Sequence, residues 1–340
     1  MKQLKFSIII VTWNGLRHLK NYLPSVFKTD YPFLEIIIAD NASDDETINW
    51  IKKNYPSCKI ARLEENFGYA GGNNRAAEIA DGDILLFLNN DVEVTPEWLL
   101  PLSEAFAESD VAVVQPKILS AKNKLKFEYA GAAGGFIDWL GYPFCRGRIF
   151  DTIEIDNGQY DDKAYIFWAS GAAFAIRKNI FEELGGFDIE FEFHMEEIDL
   201  CWRTLKRGYK ILYEPDSKVF HLGGGSMPEN SPRKVFYNFR NSLMMLLKNL
   251  DRFVALKIIT RLTLDGITGI KFLVNGKPEN MIAVIKAHFS FYKRIGSCLS
   301  KRSSSKVKNQ QLVKRKLIYP KLIPFQYFAT RKKTFSQLKL

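Results

Sequence analysis

The sequence predicts an α/β fold with a mostly parallel, doubly wound sheet, followed by a basic helical extension. Short apolar runs rich in β-branched residues alternate with segments of helical spacing over roughly the first 90 residues. Continuous apolar runs are typical of strands buried on both faces, and strand–helix alternation is typical of parallel sheets. We therefore expect a Rossmann-like domain over residues 1–250 and a basic amphipathic helical tail over residues 251–340.

The N-terminal alternation places individual elements. The predicted strands are residues 6–11, 35–39, 59–63 and 84–88, and the predicted helices are residues 16–27 and 71–80. Ser43, with Glu46 three residues later, predicts a capping box at the start of another helix. Because ligands of such sheets bind at the carboxyl ends of the strands, functional residues are expected just after these runs.

The pattern becomes less regular in the middle of the chain. Residues 168–176 are apolar and small, which predicts a strand, whereas residues 131–135 and 151–162 predict loops. Further helices are predicted over residues 180–184, 198–206, 235–250, 253–273 and 281–292. In the fourth of these, Lys257, Arg261 and Asp265 recur every fourth residue, and Ile, Leu and Val occupy the other faces.

The net charge of +10 is unevenly distributed along the chain. Residues 251–340 hold 20 Lys and Arg against three acids, a formal charge of +17, and the remainder carries −7. Such asymmetry indicates an acidic partner for the tail, either an anionic membrane or nucleic acid. No nucleic-acid motif accompanies the charge, so the membrane is favoured and nucleic acid is not expected as a partner. A helical pair packed on the body, with a solvated basic end, is the structural alternative.

Several classes of protein are disfavoured by the sequence. The four cysteines have no CxxC spacing, which argues against a zinc knuckle or a redox motif and agrees with a cytoplasmic protein. No run reaches about 18 apolar residues, so a transmembrane helix is not predicted. The first apolar run is too short for a signal peptide.

Three polar clusters each follow or lie among apolar residues. They are Asn89-Asn90-Asp91, Glu196-Glu197-Ile198-Asp199, and residues 221–226, which begin at His221 and read His-Leu-Gly-Gly-Gly-Ser. A carboxylate at a strand end can hold a divalent cation, and a second carboxylate pair can supply a base. A histidine followed by glycines can close on phosphate or metal. Together they predict the transfer of a group from a diphosphate leaving group.

The order of a larger set of motifs resembles a known family. The motifs are residues 11–15 (Val-Thr-Trp-Asn-Gly), 40–45 (Asp-Asn-Ala-Ser-Asp-Asp), 66–74 (Asn-Phe-Gly-Tyr-Ala-Gly-Gly-Asn-Asn), 88–91 (Leu-Asn-Asn-Asp), 170–172 (Ser-Gly-Ala), 185–188 (Gly-Gly-Phe-Asp), 196–203 (Glu-Glu-Ile-Asp-Leu-Cys-Trp-Arg) and 221–226. This order resembles the family 2 glycosyltransferases, particularly their rhamnosyltransferase-like branch, over roughly residues 5–250. The resemblance implies a GT-A fold, a nucleotide-sugar donor, a divalent metal and inversion at the anomeric carbon.

The resemblance also assigns roles at the donor side. Asp91 and His221 are expected to hold the metal, Mg²⁺ or Mn²⁺, although Asn89 replaces the first carboxylate of the usual Asp-x-Asp motif. Asp40 is expected to accept the ring N–H of the nucleotide base. The residues expected to bind the donor are Thr12, Asn14, Asp40, Asn66, Gly68, Gly71, Asn74, Asn89 and Asn90.

The second cluster is expected to supply the catalytic base. The family pair is usually Glu-Asp with the second residue as base, which maps onto Glu197 beside Glu196. Asp199 is a further candidate, with a role as a helix-dipole partner as its alternative. The predicted acceptor side consists of Trp168, Ser170, Gly171 and Ala172, for which a plain core strand is the alternative.

These expectations combine into one functional hypothesis. The chain would be an inverting, metal-dependent glycosyltransferase that uses a dTDP-, UDP- or GDP-sugar. Its acceptor would be a glycan or a polyprenyl-linked glycan of bacterial surface polysaccharide synthesis. It would act in the cytoplasm, peripherally at the inner face of the cell membrane, and the loop over residues 131–145 would contribute to sugar selectivity. The alternative is a catalytically silent scaffold that binds a nucleotide sugar.

Overall fold

A nine-stranded sheet organises the part of the chain that the computed structural model describes, residues 3–223, 231–303 and 317–340. The strands are β1 (Phe6–Thr12), β2 (Leu34–Asp40), β3 (Lys59–Arg62), β4 (Ile84–Leu88), β5 (Val92–Val94), β6 (Val111–Ser120), β7 (Gly135–Asp138), β8 (Pro143–Cys145), β9 (Arg148–Ile149), β10 (Thr152–Ile153), β11 (Ala164–Tyr165), β12 (Ala173–Arg177), β13 (Lys210–His221) and β14 (Ile318–Tyr319). The helices are α1 (Leu16–Val26), α2 (Thr47–Asn54), α3 (Gly68–Glu78), α4 (Leu99–Ala105), α5 (Lys178–Glu183), α6 (Glu196–Lys206), α7 (Pro232–Asn249), α8 (Val254–Val274), α9 (Pro278–Ser303) and α10 (Ile323–Phe328).

The strand order across the large sheet is β11-β13-β6-β12-β4-β1-β2-β3, and β5 pairs with β13. Strands β3, β2, β1 and β4 are parallel. Strand β12 is antiparallel to both β4 and β6, so β6 and its parallel partner β13 point the same way as β1 to β4. The predicted mostly parallel, doubly wound sheet is confirmed, and the carboxyl ends of these strands meet at one edge.

The apolar runs fill two cores, one on each face of the sheet. Along β1, Ile8 and Ile10 pack in the core shared with α1, α2 and α4, whereas Ile9 packs in the core shared with α3 and α6. The strand is therefore buried on both faces, which explains why its sequence is continuously apolar rather than alternating.

The predicted capping box at Ser43 is wrong. Helix α2 begins at Thr47, and neither its N-cap residue Glu46 nor Ser43 caps it with a side chain. The Ser43 hydroxyl instead accepts a hydrogen bond from the Asn14 amide over 2.8 Å, and the Asp45 carboxylate accepts from the Thr47 amide over 3.0 Å. The hydroxyl is thus used to join the loops that follow β1 and β2.

The region between β6 and β12 also differs from the prediction. The strand predicted over residues 168–176 begins later in the structure, since β12 spans Ala173–Arg177. The expected loops over residues 131–135 and 151–162, and the expected selectivity loop over 131–145, contribute β7, β8 and β10 to a second sheet of order β10-β9-β8-β7-β14. These strands are two to four residues long, which is too short to give a recognisable hydrophobic period.

The C-terminal helices pack on the body of the protein. Phe291 and Cys298 of α9, and Tyr319 and Ile323 beyond it, belong to the core that also contains residues of α6 and α7. Strand β14 is parallel to β7. The division at residue 250 stays a prediction. No helix in the described ranges is long and apolar enough to cross a bilayer.

Phe187 provides a test of the core that supports the site. Its side chain is 2% exposed. Its ring contacts four others, those of Tyr69, Phe87, Phe174 and Phe181, with centroids 5.0–6.1 Å apart. We expect Phe187→Ala to lower the free energy of unfolding by about 3–5 kcal/mol, because it leaves a cavity. Phe33→Ala, at a 44% exposed ring, is the control. Equal denaturant midpoints for the two variants would contradict this view of the core.

Candidate active site

A cleft of about 590 Å³ opens where β4, β6 and β13 end and α6 begins. The predicted site residues that line it are Asn89, Asp91, Ser170, Gly171, Ala172, Glu196, Glu197 and His221. The fold therefore brings members of all three polar clusters to one cavity. Gly224, Gly225 and Ser226, the end of the third cluster, lie outside the described residues.

Asp91 and His221 are held together by strand pairing. Strands β5 and β13 are antiparallel, with Val92 opposite His221. The distance from Asp91 Oδ1 to His221 Nε2 is 3.1 Å, and Asn89 Nδ2 lies 3.3 Å from the same ring nitrogen. On the other side of the ring, Glu128 Oε1 is 3.3 Å from Nδ1. The imidazole thus lies between two carboxylates.

The electrostatics of this group favour positive charge. Burial alone would lower the pKa of His221, but its hydrogen bonds to Asp91 and Glu128 and their charges raise it to about 10. Burial alone would raise the pKa of Asp91, but His221 holds it below the ordinary range. The imidazolium is therefore stabilised by two anionic neighbours in a buried environment.

The same residues fit a divalent cation that is shared with a substrate. Asp91 offers a carboxylate oxygen, His221 a ring nitrogen after loss of its proton, and Asn89 an amide oxygen. Across the described ranges, no group of three His, Cys, Asp or Glu side chains is placed to hold an ion by itself. Mg²⁺ commonly binds through one or two carboxylates and completes its shell with water and phosphate oxygens. A diphosphate would supply the missing ligands here.

Glu196 and Glu197 begin α6 and line the same cleft as Asp91. Burial raises the pKa of Glu196 well above its ordinary value, and the charges of Glu197 and Asp199 raise it further. Burial also raises the pKa of Glu197, although hydrogen bonds from backbone N–H groups at the start of α6 lower it in part. The Oε2 atom of each carboxyl is buried and has no hydrogen-bond partner in the described structure. A raised pKa makes each carboxylate a better proton acceptor than a free glutamate.

The segment that enters α6 is held in an unusual backbone conformation. Glu192, His194 and Met195 all have positive φ angles, of 61°, 68° and 73°. The side-chain nitrogen of Asn241 on α7 lies 2.7–2.8 Å from three carbonyl oxygens within residues 191–194. Arg240 donates to the Glu192 carboxylate over 2.9 Å. Helix α7 thus fixes the position at which the two glutamates enter the cleft.

Asp199, predicted as a catalytic candidate, is placed in a buried ionic network instead of the cleft. Its carboxylate accepts hydrogen bonds from Arg203, Lys248 and Asn249 over 2.7–2.9 Å. Lys248 also binds Asp188 over 2.7 Å. Burial alone would raise the pKa of Asp199, but Lys248 and Arg203 hold it below its ordinary range. Both of its oxygens accept hydrogen bonds inside the protein, and Asp199 is not among the residues that line the cleft.

Four predicted donor residues meet at the ends of β1, β2 and β4. The Thr12 hydroxyl accepts from the Asn90 amide over 3.1 Å, and the Asn14 side chain accepts from the backbone beyond β2 over 2.9 Å. Asp40 is fully buried, and its Oδ2 has no hydrogen-bond partner in the described structure. A free buried oxygen at this edge is consistent with a ligand N–H, and the role of Asp40 remains a prediction.

The remaining predicted donor residues shape the start of α3. Asn66 accepts from the Gly68 amide over 3.0 Å, and Gly68 has a φ of +68° that an L side chain rarely adopts. A Cβ at Gly71 would lie 2.7 Å from the Phe67 side chain. The side-chain amide of Asn74 donates to the Phe187 carbonyl over 2.8 Å and accepts from the Phe187 amide over 2.9 Å. Both of its polar atoms are therefore used there, and the structure does not bring Asn74 to the cleft.

The predicted acceptor residues divide into two groups. Ser170, Gly171 and Ala172 line the cleft, and the Gly171 carbonyl accepts from the Tyr69 hydroxyl over 2.7 Å. Trp168 does not line it. Its indole nitrogen donates to the Phe136 carbonyl over 2.9 Å, and its ring is 4% exposed, so it connects the two sheets.

Comparison with known proteins agrees with this geometry. Residues 7–185 match the model of glycosyl transferase family 2. The chain belongs to glycosyl transferase family 2. The family predicted from the motifs is therefore confirmed. The crystal structure of GalNAc-T7 with UDP, GalNAc and Mn²⁺ superposes with a TM-score of 0.57 over 74% of this chain and 49% of that one, at 21% identity, and supports the predicted GT-A fold.

Two curated relatives in this family come from bacteria. The O-antigen biosynthesis protein RfbC of Myxococcus xanthus is 28% identical over 221 residues, 64% of this chain and 17% of that protein. The N-acetylglucosaminyl-diphospho-decaprenol L-rhamnosyltransferase of Mycobacterium tuberculosis is 26% identical over 231 residues, 63% of this chain and 75% of that enzyme. The chain spans less than half the length of several curated relatives that it matches.

Some residues of the cleft were not predicted from the sequence. Glu128, Tyr129, His194 and Lys234 line it together with Tyr69. Glu128 lies in the loop after β6, where its amide donates to the Ile118 carbonyl over 3.1 Å. No motif surrounds it, and its only signal in the sequence is that it is an acid just after a basic segment.

Asp199 can be tested as a structural residue. We expect Asp199→Asn to lower the free energy of unfolding by about 3–5 kcal/mol, because it removes the buried negative charge that pairs with Arg203 and that shares Lys248 with Asp188. Glu183→Gln, at an exposed ion pair with Arg207, is the matched control and should change stability by less than about 0.5 kcal/mol. A stable Asp199→Asn protein that has lost only turnover would support a catalytic role instead.

Proposed function

We propose that this chain is an inverting, metal-dependent glycosyltransferase that takes a sugar from a nucleotide-diphosphate donor. The observation that supports this most strongly is that two buried glutamates line the same cleft as the Asp91–His221 pair. One side of such a cleft suits a diphosphate, and the other suits a hydroxyl that must lose its proton. Membership of glycosyl transferase family 2 agrees with this chemistry.

The reaction follows from the positions of these groups. The acceptor hydroxyl lies against Glu197, which takes its proton as the oxygen attacks the anomeric carbon. The bond from that carbon to the diphosphate oxygen breaks, and the configuration inverts because attack comes from the opposite side. A divalent cation at Asp91, His221 and Asn89 would neutralise the charge of the departing diphosphate. The raised pKa of Glu197 gives it the proton affinity that a base requires.

Other predicted residues would position the substrates. Asp40 would accept the ring N–H of the nucleotide base, and Thr12, Asn14 and Asn90 would form the edge of that pocket. Ser170, Gly171 and Ala172 would contact the acceptor. The Tyr69 hydroxyl fixes the Gly171 carbonyl, and so fixes the acceptor wall beside Glu197.

The acceptor that we propose is a glycan or a polyprenyl-linked glycan, at the inner face of the cell membrane. The rhamnosyltransferase among the relatives carries a decaprenol diphosphate acceptor in its name. A peripheral position agrees with the basic charge of residues 251–340. The donor is proposed as a dTDP-, UDP- or GDP-sugar. Donor turnover by the purified chain with Mg²⁺ or Mn²⁺ tests the proposal against a silent scaffold, which would bind the donor without consuming it.

Asp91 is expected to link the metal to the donor. Asp91→Ala should abolish transfer and weaken donor binding by about tenfold or more when Mn²⁺ is present, because a charged ligand of the shared cation is lost. Without metal, wild type and variant should bind the donor similarly in calorimetry. Asp216→Ala, an exposed acid on the same strand as His221, is the control. Metal-independent donor binding by the wild type would rule out this role.

Glu197 is expected to act as the base. Glu197→Gln should retain donor binding and lower kcat by about 100-fold or more, because an amide keeps the shape but takes no proton. The raised pKa predicts that wild-type kcat/KM increases with pH through a value above the ordinary 4.5 of a glutamate, and that this limb disappears in the variant. Glu182→Gln, at an exposed acid, is the control. An inactive Glu196→Gln beside an active Glu197→Gln would reassign the base.

A further inference from the structure

Helix α8 buries charged side chains and exposes apolar ones, which is the reverse of an ordinary surface helix. Its charged residues Arg261 and Asp265 face the protein and are 3% and 1% exposed. Arg261 donates to the Leu140 carbonyl over 3.0 Å, and its guanidinium lies 3.8 Å from the centre of the Tyr142 ring. Asp265 lies 3.6 Å from His288 of α9. The polar stripe seen in the sequence is therefore the buried face of this helix.

The opposite side of α8 is apolar and exposed. We call it the α8 outer face, and it consists of Leu256, Ile259, Ile267, Ile270 and Val274, which are 58–79% exposed. With Thr263, these positions recur at intervals of three and four residues, so they form one stripe about 27 Å long. A helix on a water-soluble surface normally buries such a stripe, and an apolar face of this size marks a binding surface.

The surrounding charge indicates what covers this face. The only acid of α8, Asp265, is buried, and the exposed positions of the helix carry a single charge, Lys271. Arg252 and Lys277 are exposed at the two ends of the helix, close to the exposed acids Asp251 and Glu279. The exposed charge within α8 itself is therefore positive, and residues 251–340 carry +17 in all, which favours an anionic bilayer, with its apolar interior and opposite charge, over a second copy of the chain.

Contacts connect the α8 outer face to the cleft. Lys271 Nζ lies 4.5 Å from the centre of the Phe328 ring, which is 56% exposed. Phe328 packs on Tyr327, whose hydroxyl is 2.9 Å from that of Thr152. The next residue, Ile153, lines the cleft and is itself 37% exposed. A chain of contacts thus runs from Lys271 of α8 to the cleft, and it includes two exposed apolar side chains, Phe328 and Ile153.

We propose that the α8 outer face lies in the boundary between headgroups and acyl chains of an anionic bilayer. From there a lipid-linked acceptor reaches the cleft along Phe328 and Ile153. The acceptor route rests on the proposed glycosyl transfer, whereas the contact of α8 with the bilayer does not. In this proposal the helix lies in the plane of the membrane, because one side of it is apolar and exposed while its charged side packs on the protein.

The test uses the full chain and vesicles of defined composition. Wild type should sediment with vesicles that contain phosphatidylglycerol and only weakly with pure phosphatidylcholine, and added salt should release part of it. The double variant Ile267→Glu/Ile270→Glu should lower the bound fraction by about tenfold, because it places charges in the acyl region. The control is Ile79→Glu/Leu100→Glu, at two exposed apolar positions outside α8, which should sediment like the wild type.

Further measurements separate the possible outcomes. Melting temperatures should be equal for the two double variants, because all four positions are exposed, and both should bind a nucleotide sugar as the wild type does. Equal sedimentation of wild type and Ile267→Glu/Ile270→Glu overturns the membrane proposal. So does light scattering that shows a wild-type dimer converted to a monomer by this variant, since the face would then join two copies.

The acceptor route is measured separately. With a polyprenyl-linked acceptor in anionic vesicles, Ile267→Glu/Ile270→Glu should transfer about tenfold more slowly than wild type, while donor hydrolysis without vesicles stays unchanged. If transfer in vesicles is unaffected although sedimentation is lost, the route along Phe328 is wrong. If the wild type does not hydrolyse the donor, the proposed function is contradicted. The sedimentation result would still support the contact with the bilayer.

Discussion

The candidate site depends most on the ion pairs and hydrogen bonds of the buried Asp199 carboxylate. It joins Arg203 in its own helix to Lys248 and Asn249 of α7. Through Asp188, the same network reaches Lys301 of α9 over 2.6 Å. A buried ion pair is stabilising only when each charge has its partners, so these helices are constrained to pack in one arrangement. That arrangement determines where Glu196 and Glu197 enter the cleft.

The opposite wall of the cleft depends on backbone pairing rather than on buried charge. Strand β4 ends at Leu88, the chain turns through Asn89 and Asn90, and β5 then pairs beside the end of β13. Asp91 and His221 therefore approach each other even though 130 residues of sequence separate them. The two walls are built independently, one by a sheet edge and one by helix packing, and they can be altered separately by mutation.

The sequence was informative where local pattern and topology act together. The end of a buried parallel strand was enough to place Asp91, because the carboxyl ends of such strands share an edge. Asp199 was not placed correctly, since a first-turn acid can face either the cleft or the neighbouring helix, and only α7 decides between them. The periodicity of α8 revealed two faces, but a period does not say which face is buried. The position of Glu128 depends on a loop whose backbone pairs with the end of β6, and such a loop has no sequence signature.

The pairing of β14 with β7 has a consequence for the order in which the protein is made. Strand β14 and Tyr327 are translated long after β7 and Thr152, which they contact, and the Phe335 amide likewise contacts the earlier Glu154 carboxylate. The parallel strands β1 to β4 lie within the first 88 residues, so all of them are made well before β14. The second sheet gains one of its edge strands only after residues 318–319 have been made, so a nascent chain that has not reached them holds an incomplete second sheet.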